Sequence, residues 1–192
     1  MSTKETVNKK SDIVNRFFDY FALIMCSALF FYLGRHMHTK IEERADTKPF
    51  VTFDDFFPFY MSQHSDTTCR RLHVVGTSII ALGGLKDPKI YLSLAPALLI
   101  GVGMCYWTAD ISHGIYEFIV MLSVLIGSTR LVYGDYSGVK QMFTFILIGY
   151  GFAWVGHFGF EKNMPATFIY PSYSLLSDWR LFFETITMQR EF

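Results

Sequence analysis

The sequence predicts an all-α membrane protein, a polytopic helical bundle of about four to five membrane helices with amphipathic interfacial helices. Of its 192 residues, 51% are hydrophobic and 18% aromatic, while 18% are charged, against roughly 25% charged residues in an average soluble domain. Several apolar runs approach the length of about 20 residues that a membrane helix needs. Such runs must satisfy their own backbone hydrogen bonds in lipid, which makes them helices.

Five apolar runs divide the chain, and they cover residues 17–33, 72–85, 90–107, 115–132 and 142–158. The polar segment before the first run is compatible with a signal peptide, but the run is long and is followed by Gly34-Arg35-His36 without a clear cleavage site, which favours an uncleaved membrane anchor. The second run is short, and Gly83 and Gly84 followed by Pro88 indicate a tight turn at its end. A full span and a re-entrant or interfacial helix therefore both remain open for residues 72–85.

Two other segments have the pattern of amphipathic helices. In the first, an apolar stripe follows Thr52, which can cap a helix, although Pro58 limits that helix to a short one. The stripe consists of Phe53, Phe56, Phe57 and Tyr60. Residues 174–188 carry a second stripe, and we expect both helices to lie along the membrane surface. The chain then divides into a polar N-terminus with an extra membrane anchor, residues 1–50, and a membrane-embedded domain, residues 51–192.

Charge and cysteine content exclude several classes of protein. Seventeen basic and seventeen acidic residues cancel, and no basic cluster is interleaved with aromatic residues, which excludes a nucleic-acid partner. Three cysteines without a C-x-x-C pair indicate neither a disulfide framework nor a zinc ribbon. Basic residues are nearly balanced between the two predicted sides of the membrane, so they assign no orientation. The sequence identifies no protein partner.

Histidines are the strongest candidates for chemistry. If all five runs span the membrane, His64, His73, His113 and His157 lie on one side of it. His64 and His73 are nine residues apart, or two and a half helical turns, so they can share a ligand only if the chain bends between them. Hydrogen bonds to lipid headgroups or backbone are the alternative role for this pair.

His157 and Glu161 are four residues apart, so one helical face can present both to a cation, or Glu161 can orient the imidazole. A helix-end ion pair between Glu161 and Lys162 or Arg71 is the alternative. Histidines with a carboxylate suit non-haem Fe(II) better than a structural zinc site, which normally uses thiolates, although imidazole also binds zinc, copper and nickel.

The sequence gives less support for the remaining histidines as metal ligands. His113 is either a further ligand or a structural turn residue. His36 and His38 stand beside Arg35 and Lys40, and we expect them at the surface.

Four motifs together resemble one family of small membrane proteins. They are Phe57-Pro-Phe-Tyr60, Gln63-His-Ser-Asp-Thr-Thr-Cys-Arg-Arg-Leu-His73, Gly156-His-Phe-Gly-Phe-Glu-Lys-Asn-Met-Pro-Ala166 and Tyr170-Pro-Ser-Tyr-Ser-Leu-Leu-Ser-Asp178, within a resemblance over about residues 53–192. The characterised eukaryotic members are Fe(II)-dependent dioxygenases of the endoplasmic reticulum. They shorten 2-hydroxy fatty acids by one carbon in α-oxidation, on the route from phytosphingosine to odd-numbered fatty acids.

The resemblance implies a ligand set when it is carried over residue by residue. His64, His73 and His157 become iron ligands, and Glu161 becomes a ligand or a carboxylate that orients one. The cofactor implied is Fe(II). If the protein is eukaryotic, the endoplasmic reticulum membrane is its expected location.

Our working hypothesis is that O2 and a long-chain 2-hydroxy fatty acid react at this iron, with release of CO2. Arg70 or Arg71 is expected to pair with the substrate carboxylate. The sequence is more similar to the bacterial-type branch, and it has an extra hydrophobic N-terminus and a longer middle, residues 85–141. The alternative is a non-catalytic lipid-binding or scaffold protein of the same family.

Overall fold

The computed structural model describes residues 44–190, and every regular element in that range is helical. The α-helices are α1 (Phe53–Ser62), α2 (Thr67–Lys86), α3 (Lys89–Trp107), α4 (Ile115–Tyr133), α5 (Ser137–Trp154) and α6 (Pro171–Ile186). A π-helix, Val155–Glu161, continues α5, and a short 3-10 helix, Ala166–Phe168, precedes α6. The absence of strands from residues 44–190 confirms the predicted all-α class.

Three of these helices are long and apolar enough to cross a membrane, namely α3, α4 and α5 together with the π-helix. They coincide with the predicted runs at residues 90–107, 115–132 and 142–158. In α5 and its π-helical extension, only 11% of the most apolar stretch is buried inside the protein. Apolar surface left uncovered by protein is expected where lipid covers it, which supports a membrane protein.

The other two predicted membrane helices are not among these three. Residues 72–85 lie within α2, which has 20 residues but begins with a polar turn and is not among the three apolar helices. The run at residues 17–33, with His36 and His38, lies outside the described residues, as does most of the predicted N-terminal region 1–50. The total of four to five membrane helices therefore stays a prediction.

Local sequence explains where several helices begin and end. As predicted, the Thr52 hydroxyl accepts a hydrogen bond from the backbone N–H three residues later, and α1 continues unbroken through Pro58. The Asp66 carboxylate accepts two N–H groups from the first turn of α2. Gly134 ends α4 in the left-handed conformation, with φ of 79°, which costs glycine little because it has no Cβ.

The helices pair in an antiparallel arrangement that gathers certain ends together. α3 packs along α4, α2 packs along α5 and the π-helix, and α6 contacts α1, α2, α3 and α4. Short turns join α2 to α3 and α4 to α5, so the start of α2, the end of α3, the start of α4 and the π-helix share one end of the bundle. An apolar core fills the space between α3, α4 and α5, and it comprises Ile90, Ala97, Ile100, Met104, Val124, Leu125 and Met142.

The apolar stripe of α1 faces the protein, although we expected it to face the membrane. Phe56 and Tyr60 are 0% and 1% exposed, and the Phe56 ring lies 4.9 Å from the ring of Tyr170 and 5.6 Å from that of Tyr173. An amphipathic stripe shows that one helix face needs an apolar cover, and it does not identify the cover. Here the start of α6 supplies it.

Candidate metal centre

His64, His73 and His157 meet at the end of the bundle where α2 begins. His64 lies in the turn between α1 and α2, and this turn supplies the bend that the nine-residue spacing requires. His73 is on α2 and His157 is on the π-helix, and all three are buried. The Nε2 atoms of His64 and His73 are 3.3 Å apart. The His157 ring centroid lies 4.6 Å from that of His64 and 5.2 Å from that of His73.

The Nδ1 atoms of the first two imidazoles are held by oxygen atoms. His64 Nδ1 lies 2.6 Å from the carbonyl oxygen of Tyr60, and His73 Nδ1 lies 2.7 Å from Asp178 Oδ1. A carbonyl and an ionised carboxylate can only accept, so both Nδ1 atoms carry the proton and donate. The Nε2 atoms of His64 and His73 are therefore left with free lone pairs.

The third imidazole is fixed in the same way. His157 Nδ1 lies 2.7 Å from Asn163 Oδ1. The Nδ2 of the same amide donates to the carbonyl oxygen of Gln63 at 2.9 Å, and this bond turns the amide oxygen toward His157. His157 Nδ1 consequently donates, and a third Nε2 lone pair is directed into the group.

This set of donor atoms fits a metal ion. His64, Cys69, His73 and His157 each offer a ligand atom, and these atoms all lie within 4.8 Å of one another. Two imidazole nitrogens bound at about 2.1 Å and roughly 90–110° apart are separated by about 3.0–3.4 Å. The 3.3 Å between the first two Nε2 atoms falls in that range. Hydrogen-bond acceptors behind ligating imidazoles are also the usual arrangement at metal sites.

His64 is neutral in this environment. Burial first, and the neighbouring His73 second, lower its pKa to about 3. A neutral imidazole keeps its Nε2 lone pair available for a metal. The ring of Tyr60 stacks on the imidazole with centroids 4.0 Å apart, and it covers one face of His64 from water.

Asp178 carries the negative charge nearest to the three imidazoles among the contacts described here. Burial acts to raise the pKa of Asp178, but the electrostatic interaction with His73 and the hydrogen bonds from His73 and Tyr60 outweigh burial and hold that pKa below its usual value. The Tyr60 hydroxyl donates to the same Oδ1 at 2.5 Å. An ionised Asp178 makes the His73 imidazole a stronger donor to a cation.

Cys69 is the fourth member of the group. Burial raises the pKa of its thiol to about 12, so the side chain is protonated unless a metal displaces the proton. Its sulfur also marks a close approach between helices, because a Cβ placed on Gly156 would lie 2.8 Å from Cys69 Sγ. Glycine at position 156 therefore allows the π-helix to sit against α2.

Glu161 faces the start of α2. Its Oε2 accepts a hydrogen bond from Ser65 Oγ at 2.9 Å, and its Oε1 accepts one from the N–H of Asp66. We expected an α-helical face shared by His157 and Glu161, but the π-helix has wider turns and changes their relative orientation. Glu161 is not among the four grouped residues, and its charge complements the positive end of the α2 dipole.

The predicted substrate arginines lie at the start of α2. The Arg70 guanidinium donates to the carbonyl oxygens of His64 and Ser65, both at 2.8 Å, so it braces the turn that carries His64. Arg71 is exposed at the next position. His113 lies elsewhere, just before α4, where its Nδ1 accepts from the N–H of Ile115 at 3.4 Å, and it does not join the three imidazoles.

Sequence reasoning did not place four residues of the centre at a metal site. These are Tyr60, Cys69, Asn163 and Asp178, which contact the imidazoles or lie among them. All four occur inside the motifs that carry the family resemblance, and that membership was the available signal.

Comparison with known proteins supports the resemblance to the family of small membrane proteins described above. The family model described as 2-hydroxy-palmitic acid dioxygenase Mpo1-like matches residues 50–190, a range that includes the three imidazoles and their hydrogen-bond partners. Comparisons with curated proteins and with solved structures found no match. The matched range covers most of the 192 residues, and the chain therefore belongs to the 2-hydroxy-palmitic acid dioxygenase Mpo1-like family.

Proposed function

We propose that this protein is an Fe(II)-dependent dioxygenase that shortens long-chain 2-hydroxy fatty acids by one carbon within a membrane. The observation that carries the proposal is the convergence of His64, His73 and His157, each oriented by a hydrogen bond from its Nδ1. The family description supports the reaction and the substrate class. In the overall reaction, the 2-hydroxy acid and O2 give the shorter acid, CO2 and water.

The residues of the chain have separate tasks in this proposal. When bound, Fe(II) would supply O2 activation and Lewis-acid contact to the substrate hydroxyl and carboxylate. Asp178 and Asn163 hold the Nδ1 protons of His73 and His157, which keeps both Nε2 lone pairs directed inward. Tyr60 shields His64 and hydrogen-bonds Asp178, so one side chain supports two of the three ligands.

Glu161, Arg70 and Arg71 have proposed tasks next to the three histidines. The contacts of Glu161 favour a role in holding the π-helix against the start of α2. Arg70 or Arg71 is proposed to pair with the substrate carboxylate, with Arg70 also bracing the turn of His64. Replacing each arginine separately by alanine should raise KM for the substrate more in the variant that lacks the carboxylate partner.

The proposal is tested with the full chain purified in detergent and supplied with Fe(II). We expect close to one iron per chain, and conversion of 2-hydroxypalmitate to pentadecanoate and CO2 in the presence of O2. The His157→Ala variant should lose both properties, while His113→Ala should keep them because His113 lies outside the imidazole group. Unchanged activity in His157→Ala would refute the site.

The family alternative, a lipid-binding or scaffold role without catalysis, predicts a different result in the same experiment. Such a protein would purify without stoichiometric iron, and a chelator would leave its stability unchanged. If the protein is eukaryotic, its proposed location is the endoplasmic reticulum membrane, which imaging of a tagged full-length chain would check separately.

A further inference from the structure

A cavity of about 140 Å³ lies next to the cluster formed by His64, His73 and His157, which we call the imidazole group. His73 and Asp178 line one end of it, and Thr77 follows one helical turn further along α2. The remaining walls come from Ile80 on α2, from Thr167 in the 3-10 helix, and from α3, α4, α5 and α6, and they are almost entirely apolar. The cavity therefore has a polar end at the metal centre and an apolar body inside the bundle.

The cavity is long in the direction of the membrane helices. Its α5 wall extends from Ala153, near the π-helix, to Met142, near the opposite end of that helix. Eleven residues at 1.5 Å per residue correspond to about 17 Å. At the far end, Leu125 and Met142 are both buried and also line a smaller void of about 10 Å³ that lies further along α4 and α5.

The cavity also reaches the outer surface of the bundle. Phe118 on α4 lines it and is 37% exposed, and its ring lies 6.2 Å from the ring of Tyr150 on α5. Both helices are apolar enough to cross a membrane. The Phe118 and Tyr150 rings therefore form a lipid-facing part of the cavity wall, which a molecule dissolved in the bilayer would reach without passing through water.

We propose that this cavity binds the alkyl chain of a free long-chain fatty acid, and that Leu125 and Met142 limit the length of chain it accepts. The carboxyl end of the fatty acid would lie at the end of the cavity that His73 lines, close to the three histidines, and the terminal methyl group would lie beside Met142. This inference rests on the proposed function for the position of the carboxyl end. A narrow apolar space that begins at the reactive centre suits an alkyl chain, since each buried methylene group favours binding.

The first test is photolabelling of the full-length protein in lipid nanodiscs, with palmitic acid that carries a diazirine at its terminal carbon. This probe lacks the 2-hydroxyl, so labelling does not depend on turnover. We expect labelled peptides from the inner faces of α4 and α5 around Leu125 and Met142, and competition by 2-hydroxypalmitate. Labelling confined to lipid-facing positions such as Leu147, which is 72% exposed, would overturn the proposal.

The second test compares chain lengths in two cavity variants, Met142→Trp and Leu125→Phe, with Leu147→Trp as the matched control on the outer face of α5. Each methylene group that no longer fits should weaken binding about fourfold. At least one cavity variant should therefore bind hexadecanoic acid roughly tenfold or more weakly while binding dodecanoic acid normally. Retained dodecanoic acid binding also shows that the variant is folded.

These experiments distinguish failure of the proposed acyl site from failure of the proposed dioxygenase reaction. Unchanged chain-length preference in both cavity variants, or the same change in Leu147→Trp, would overturn the acyl site. A protein that labels inside the cavity but never converts 2-hydroxypalmitate keeps the acyl site and refutes only the dioxygenase proposal.

Discussion

Asp178 on α6 accepts a hydrogen bond from the Nδ1–H of His73 on α2 at 2.7 Å, across 105 positions of the sequence. The same carboxylate oxygen also accepts the Tyr60 hydroxyl of α1. Three helices therefore meet at one oxygen atom directly behind the imidazole group. This atom determines which nitrogen of His73 faces the group.

The Asp178→Asn variant should weaken metal binding roughly 10- to 100-fold, the usual loss when an acceptor behind a ligating imidazole is removed. The amide can turn its NH2 group toward His73 and move the imidazole proton to Nε2, which would block the ligand atom. Competition against a chromophoric chelator measures the affinity. The control is Asp54→Asn, whose carboxylate contacts only Arg180 among the ion pairs described here; an equal loss in that variant would contradict the prediction.

The pH dependence of stability should reveal His64 in metal-free protein. The folded side chain stays neutral down to about pH 3, whereas its ordinary pKa is 6.5, so the unfolded state binds more protons between these values. Its contribution is therefore complete above pH 6.5 and declines as the pH falls through that window, by at most about 1.4 kcal/mol per pH unit.

Thermal unfolding of metal-free protein between pH 5 and 7.5 measures this effect. His64→Gln has no titrating side chain at position 64, so its stability should fall less steeply as the pH is lowered. Identical slopes for the two proteins would show that His64 is not held neutral by the fold.

Gly156→Ala should destabilise the protein by about 1–3 kcal/mol, the range typical of overpacking, and reduce metal binding. The added Cβ would lie 2.8 Å from Cys69 Sγ and push the π-helix with His157 away from α2. Gly159→Ala is a matched control in the same π-helix, because its Cβ would meet no atom within 4 Å.

A second substitution checks the cause of this effect. Gly156→Ala combined with Cys69→Ala removes the sulfur that the new Cβ contacts, so the double variant should lose less stability than the sum of the losses in the two single variants. Additive losses in unfolding temperature would mean that the Gly156–Cys69 contact is not responsible.

Glu161→Gln should retain bound metal but lower the free energy of unfolding by about 0.5–2 kcal/mol, as expected when a partner at a helix N-terminus is weakened. The neutral amide can still accept one hydrogen bond from Ser65 or Asp66, but it no longer complements the dipole of α2. Metal content and unfolding temperature are measured on the same preparation. A loss of metal with unchanged stability would instead identify Glu161 as a ligand.

Sequence patterns predicted the helices well because apolar length and capping are local properties. Thr52 caps α1 as expected, and three apolar runs coincide with α3, with α4, and with α5 together with its π-helical extension. The cover on the α1 stripe was not predictable in this way, because the pairing of Phe56 with Tyr170 joins distant segments. The helical spacing of apolar residues shows only which face of a helix is apolar. Tertiary packing decides what lies against that face.

The convergence of the three histidines could be predicted only in part from the sequence. Counting spans predicted that His64, His73 and His157 share one membrane side, and the structure brings them together. The roles of Asp178 and Asn163 depend on bonds formed only after folding, and the orientation of Glu161 depends on a π-helix, whose sequence signal is weak.

The segment from His157 to Asn163 closes on itself twice. Asn163 Oδ1 accepts from the His157 imidazole, and the backbone N–H of Asn163 donates to the His157 carbonyl oxygen. Both bonds require the same number of intervening residues, so a single gained or lost codon in this stretch would break them together. Across genomes, the length of this segment would then separate lineages that keep the centre from those that have discarded it, even where every histidine is still encoded.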